Sequence, residues 1–85
     1  MKEIGKYAII LGSSQRLGRS IALYLADMGY NIALHYNRSK REAEQCAKEI
    51  SDQGRVSRLF QCELSDLDGV KQLIGRVQKE FGDLN

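Results

Sequence analysis

The sequence has no proline, and aromatic residues make up only 7% of its 85 positions. That composition is compatible with neither a collagen-like repeat nor a low-complexity tract. Long hydrophobic runs are also missing. The longest, such as Tyr7 to Leu11, fall far short of the ~20 residues that a membrane span needs. The N-terminus opens Met-Lys-Glu-Ile-Gly without an apolar signal-peptide core, which makes a cytoplasmic address the expectation. No charge of one sign dominates. Thirteen basic and eleven acidic residues leave +2, too balanced to imply nucleic acid as a partner. Cysteine is scarce, and Cys46 and Cys62 lack metal-ligand spacing, so both read as reduced, small hydrophobes. What remains, 42% hydrophobic and 28% charged, describes one small soluble domain spanning 1–85. A chain of this size buries about 60–65% of its unfolded surface, so its margin of stability is thin.

Apolar strand-like runs alternate with helix-period stretches. Lys6 to Leu11 is a continuous apolar run ending at Gly12, which suits a strand buried on both faces. Leu17, Ile21, Ala22, Leu25 and Met28 then form a helical stripe, and Gly29 follows where a left-handed cap is expected. Tyr30 to Tyr36 predicts a second strand. Ser39 and Glu42 are spaced as a capping box before the stripe Ala43, Cys46, Ala47 and Ile50, and Gly54 punctuates that helix's end. Val56 to Cys62 predicts a third strand. Ser65, Asp66 and Asp68 can cap a last helix carrying Val70, Leu73, Ile74, Val77 and Phe81. The order β-α-β-α-β-α with short connections argues an α/β architecture with a parallel sheet and crossover helices. Right-handed crossovers would put the first two helices on one face and leave the other to the third.

The sharpest local signal is Gly12-Ser13-Ser14-Gln15-Arg16-Leu17-Gly18, between the first strand and the first helix. A glycine directly after a buried strand permits a tight turn and lets backbone approach a ligand. The unpaired N–H groups and positive dipole end of the following helix favour a phosphate. Ser13 and Ser14 add hydroxyl donors, and Gly18 lets the helix sit close to the strand. The spacing departs from G-x-G-x-x-G, because Arg16 takes the place of a middle glycine, and no Walker-type Gly-Lys-Ser/Thr is present. Glycines at such turns are often merely structural. The strand before and the helix after are the context that favours phosphate binding.

In a dinucleotide fold the residue about 20 positions past this turn meets the adenosine ribose, and an acidic one accepts the 2′-hydroxyl of NAD. Here the region reads His35-Tyr36-Asn37-Arg38-Ser39-Lys40, with no carboxylate. Arg38 offers a planar fork for a phosphate dianion, Ser39 a hydroxyl and N–H at a helix start, and Arg16 a second guanidinium. Each arginine alone also reads as a solvated surface charge. Together, at two loops flanking one edge of the sheet, they favour NADP over NAD. His35 reads as a packed strand residue rather than a catalyst. Glu63 and Leu64 follow the third strand at the same edge, where an adenine ring would lie. Glu63 reads equally as a loop carboxylate.

The segments IILGSSQRLG, GYNIALHYNRS, CELSD and EFGDLN together resemble the N-terminal part of the short-chain dehydrogenases/reductases. Within that family, RLGRSIA and HYNRS are similar to the NADPH-using pteridine-reductase branch. The resemblance implies a three-layer Rossmann-type βαβαβα half with a three-stranded parallel sheet in the order 3-2-1. It also implies that Gly12, Ser14, Arg16, Leu17 and Gly18 line the pyrophosphate and ribose. Arg38 and Ser39 would take the 2′-phosphate, and Glu63 and Leu64 would edge the adenine. Leu11 stands where the family has threonine, and Glu63 where it has aspartate. Family members continue into a strand carrying Asn-Asn-Ala-Gly and then a catalytic Asn, Ser and Tyr-x-x-x-Lys, none of which has a counterpart here.

The resemblance therefore implies the cofactor-binding portion of a reductase acting on a carbonyl or a pterin-like C=N bond. The 85 residues alone are expected to be inactive, with no catalytic residue and no metal site. The alternative is a non-catalytic nucleotide-binding or interaction module functional at this length. An exposed edge of the first strand would favour a homodimer in either case.

Overall fold

The computed structural model describes residues 6–12 and 16–82. Six elements follow one another: β1 (Tyr7–Ile10), α1 (Arg16–Asp27), β2 (Asn31–Tyr36), α2 (Lys40–Asp52), β3 (Ser57–Gln61) and α3 (Leu67–Gly82). The strands form one parallel sheet in the order β1-β2-β3. Ile10 lies level with Leu34 and Leu34 with Leu59, so the carboxyl ends of all three strands share one edge. The α/β class is that of the residue pattern, and the three layers and the 3-2-1 order are those the resemblance implies.

Alternation along β2 divides the core. Ile32 and Leu34 join Ile10, Ala22, Ala26, Cys46 and Ile50 on the side covered by α1 and α2. Ala33 joins Phe60, Leu73, Val77 and Phe81 on the side covered by α3. A fully buried side chain such as Leu34 or Leu73 contributes about 1.5–3 kcal/mol through burial alone. The Tyr7 and Phe81 rings stack 4.9 Å apart, which anchors the end of α3 to β1. Arg76 lies over the Phe60 ring at 5.6 Å and donates to the Gln61 carbonyl at 3.0 Å, which holds α3 along β3. Arg19 of α1 reaches both carboxylate oxygens of Glu49 on α2 at 2.6 and 2.5 Å.

Three expectations are corrected. β1 is not buried on both faces, though its apolar run predicts that it is. Residues 32–36 are all buried, whereas in β1 only Ile10 is, because nothing among the described residues pairs with its other edge. The expected stripe of α1 does not face the core as a whole. Ala22 and Ala26 are buried, but Leu17 (73% exposed), Ile21, Tyr24 and Met28 stand outside. Small alanines bring α1 close to the sheet, and among the described residues no strand pairs with the outer edge of β1. Finally, Ser39 precedes α2 at φ −88° and ψ 67° but makes no side-chain capping bond, so the Ser39–Glu42 box does not form. The chain instead tightens through Lys40 N–H to the Arg38 carbonyl at 2.9 Å. At α3 the cap does form, with Asp66 Oδ1 accepting from Gly69 N–H at 2.9 Å.

Candidate functional site

Parallel strands all end at one edge of the sheet, and the loops that leave that edge lead into helix N-termini. Backbone N–H groups and positive dipole ends therefore converge there. Every sequence-predicted site residue within the described segments lies on these loops or on the first turn of a following helix.

The first loop leaves β1 through Gly12, whose φ of +68° is a left-handed conformation that costs an ordinary L-residue roughly 1–2 kcal/mol. Glycine is required at that position by the backbone itself. Ser13 and Ser14, expected to supply hydroxyl donors, lie outside the described residues. Arg16 is the first residue of α1, Leu17 the second and Gly18 the third. Arg16 and Leu17 are exposed, so the guanidinium is accessible at the helix start and the Leu17 side chain faces outward.

The second loop joins β2 to α2. It presents Asn37, Arg38 and Ser39, all exposed, and no carboxylate appears before Glu42 in the first turn of α2. The missing cap matters here. The Ser39 hydroxyl makes no capping bond to the helix, and it lies next in sequence to the exposed Arg38 at the start of α2.

The third loop runs from Cys62 to Asp66. Glu63 is exposed, whereas Leu64 packs against the cluster under α3, leaving its backbone rather than its side chain for any ligand. Cys62 is a half-buried free thiol. Cys46, buried between α1 and α2, is pushed above the ordinary thiol value of 9.0 by burial and next by the Glu49 carboxylate, against the pull of Arg19.

One residue at this edge has a larger part than its sequence context suggested. His35, 7% exposed near the end of β2, accepts from Gly12 N–H at Nδ1 (3.1 Å), and its Nε2 lies 2.7 Å from the Cys62 carbonyl. It is packed, as expected, but it also joins the first loop to the third. A histidine within the apolar run from Ile32 to Tyr36 was the signal that could have marked it.

Among the described residues, no cluster of His, Cys, Asp and Glu could hold a metal ion. No helix among them is long and apolar enough to cross a membrane. The edge thus combines a glycine-dependent turn, three helix starts, two accessible arginines and an uncommitted hydroxyl, which together suit an extended ligand carrying phosphates.

Known proteins share this fold over the length of the chain. A solved acetoin dehydrogenase from Enterobacter cloacae superposes with a TM-score of 0.86 at 28% identity, over 95% of this chain and 32% of its own. A dehydrogenase from Burkholderia cenocepacia, solved with bound NADP, gives 0.85 at 30% identity over 93% of this chain and 31% of its own. In sequence, the 3-oxoacyl-[acyl-carrier-protein] reductase FabG of Staphylococcus aureus is 44% identical over 80 residues, 94% of this chain and 32% of that protein. Hydroxynaphthalene reductase arp2 of Aspergillus fumigatus is 32% identical over 81 residues, 95% of this chain and 30% of that one. The chain thus spans about a third of the length of these relatives. The short chain dehydrogenase profile matches residues 6–85, and with the parallel half-sheet and its glycine turn this establishes that the chain belongs to the short-chain dehydrogenase family.

Proposed function

We propose that residues 1–85 form one partial Rossmann domain that binds NADP(H) for a reductase of this family. One observation carries the choice of nucleotide. The loop after β2 holds no carboxylate and presents Arg38 beside an uncapped helix start and an unspent Ser39 hydroxyl. A carboxylate there would repel a 2′-phosphate, whereas a guanidinium and a helix N-terminus attract one. In this reading Gly12, Ser14 and Gly18 let backbone N–H groups reach the pyrophosphate, and Leu17 shields it. Arg16 closes on the ribose side, Arg38 and Ser39 hold the 2′-phosphate, and Glu63 with the Leu64 backbone edges the adenine.

The nicotinamide supplies the hydride when the cofactor is bound, and this chain's residues bind and orient it. The relatives whose names specify keto reduction favour a carbonyl as the group reduced, with a pterin-like C=N bond as the second candidate. No residue of this chain is assigned to proton transfer, so these 85 residues alone should bind without turning over. Calorimetric titration of the chain with NADP and NAD tests the reading. Tighter binding of NADP is the expected result, and equal affinity for the two sinks the assignment.

A second reading, an interaction module, rests on a different observation. Among the described residues no strand pairs with the outer edge of β1, and Leu11 at its end and Leu17, Ile21, Tyr24 and Met28 of α1 are exposed. An open apolar edge of this kind invites pairing, and two copies related by a two-fold axis would satisfy it. Sedimentation at high concentration should find a dimer, and a monodisperse monomer contradicts it.

A further inference from the structure

His35 is buried and titratable, and neither the phosphate contacts nor the charge selection uses it. Each ring nitrogen faces a backbone group with only one role to play. The Gly12 N–H can only donate, so Nδ1 at 3.1 Å must accept. The Cys62 carbonyl can only accept, so Nε2 at 2.7 Å must carry the proton. Toward these two partners the ring accepts at Nδ1 and donates from Nε2. They also belong to different loops. Gly12 makes the left-handed turn after β1, and Cys62 begins the loop after β3, so a single ring spans the ends of all three strands.

We propose that His35 is a positioning residue for the dinucleotide, setting the distance between the turn that receives the pyrophosphate and the loop that receives the adenine. This rests on the nucleotide reading above and adds to it a residue that touches no part of the ligand. The two ends of one ligand engage the two loops at once, so a fixed spacing removes the ordering cost that binding would otherwise carry. The ring gives the N–H of Gly12, at φ +68°, an acceptor from outside its own loop. Leu or Phe at position 35 would fill the same space and supply neither bond. Asn would place its amide oxygen near the position of Nδ1 and keep the Gly12 bond alone.

The test combines binding with spectroscopy on the full chain. Each bond is worth roughly two- to tenfold, so His35→Leu should weaken NADP binding about tenfold. His35→Asn should recover about threefold of that loss. A folded His35→Leu protein that binds NADP within about twofold of wild type overturns the proposal. If that variant does not fold, long-range 15N–1H spectra of the wild-type imidazole decide. A proton on Nε2 supports the proposal, and a proton on Nδ1 refutes it because Gly12 would then face a donor. Failure of the wild type to bind NADP counts against the nucleotide reading instead, and the tautomer measurement is independent of it.

Discussion

Replacing Arg38 by aspartate perturbs the site at one point and leaves the fold alone, because the side chain is exposed and lies outside both core clusters. The wild-type guanidinium meeting a phosphate is a charge-assisted pair, worth about 1.5–3 kcal/mol. Exposure and solvent screening place Arg38 at the lower end, about 1.5 kcal/mol. Aspartate then adds repulsion of about 1 kcal/mol per unit charge at ~4 Å in water. Against a phosphate bearing about −1.5 to −2 that becomes about 1.5–2 kcal/mol. The two effects sum to about 3 kcal/mol, roughly two orders of magnitude in NADP affinity. NAD has no 2′-phosphate to repel, and the new carboxylate can accept from its ribose hydroxyl, so NAD binding should hold or improve. Calorimetry of wild type, Arg38→Ala and Arg38→Asp with both nucleotides separates the lost attraction from the added repulsion. Arg38→Ala should show only the first, roughly tenfold. The gap should also narrow as salt rises, since the Debye length is about 8 Å at physiological ionic strength and shorter above it. NADP affinity that stays within about threefold in Arg38→Asp would refute the reasoning.

Three further substitutions probe the scaffold. Phe81 is 1% exposed and stacks on Tyr7, so Phe81→Ala should cost about 3–5 kcal/mol. At 0.05–0.15 kcal/mol per residue, 85 residues have roughly 4–13 kcal/mol in all, so urea titration should find α3 detached or the protein unfolded. A loss below 1 kcal/mol speaks against the packing described. Gly12→Ala forces a side chain to φ +68° and should lower stability by about 1–2 kcal/mol, read from the urea midpoint. An unchanged midpoint means the turn is not left-handed. For Cys46 the folded state holds the thiol proton more tightly than the unfolded one, because its value is raised above 9.0. Its contribution is therefore complete below pH 9.0 and declines as pH climbs from there through the raised folded value. The urea midpoint should fall over that range in the wild type and less steeply in Cys46→Ala. Parallel slopes would show that the thiol is not the group responsible.

The six elements and their order were legible because strands and helices here carry distinct periods and glycines mark the breaks. Gly29 and Gly54, both at positive φ, stand where the helix-ending signals place them. The candidate edge was legible for the same reason, since parallel connectivity sends every strand-to-helix loop to one end. Three things were not legible, each for a physical reason. Ser39 has capping chemistry and spacing, but a cap depends on ψ at one residue, which the loop from β2 sets. The α1 stripe looked inward because apolar periodicity cannot tell a face that meets the sheet from one that lies past its edge. His35 was invisible as a bridge because its partners are backbone atoms 23 and 27 residues away, and backbone leaves no mark in a sequence.

The stack between Tyr7 and Phe81 has a consequence for how the molecule is made. These rings stand near the first and last described residues, so the contact that closes the α3 side of the sheet is among the most non-local in the fold. The α1–α2 side can assemble once β3 has formed, from partners that are neighbours in the chain. Synthesis at about 5–20 residues per second proceeds from the N-terminus, so β1 would leave the ribosome seconds before the helix that covers its second face. Through that interval Tyr7, Ile9 and Ala33 remain bare, and loop-closure entropy opposes their shielding until the last turn of α3 arrives. Until that face closes, its bare strand surface is open to association.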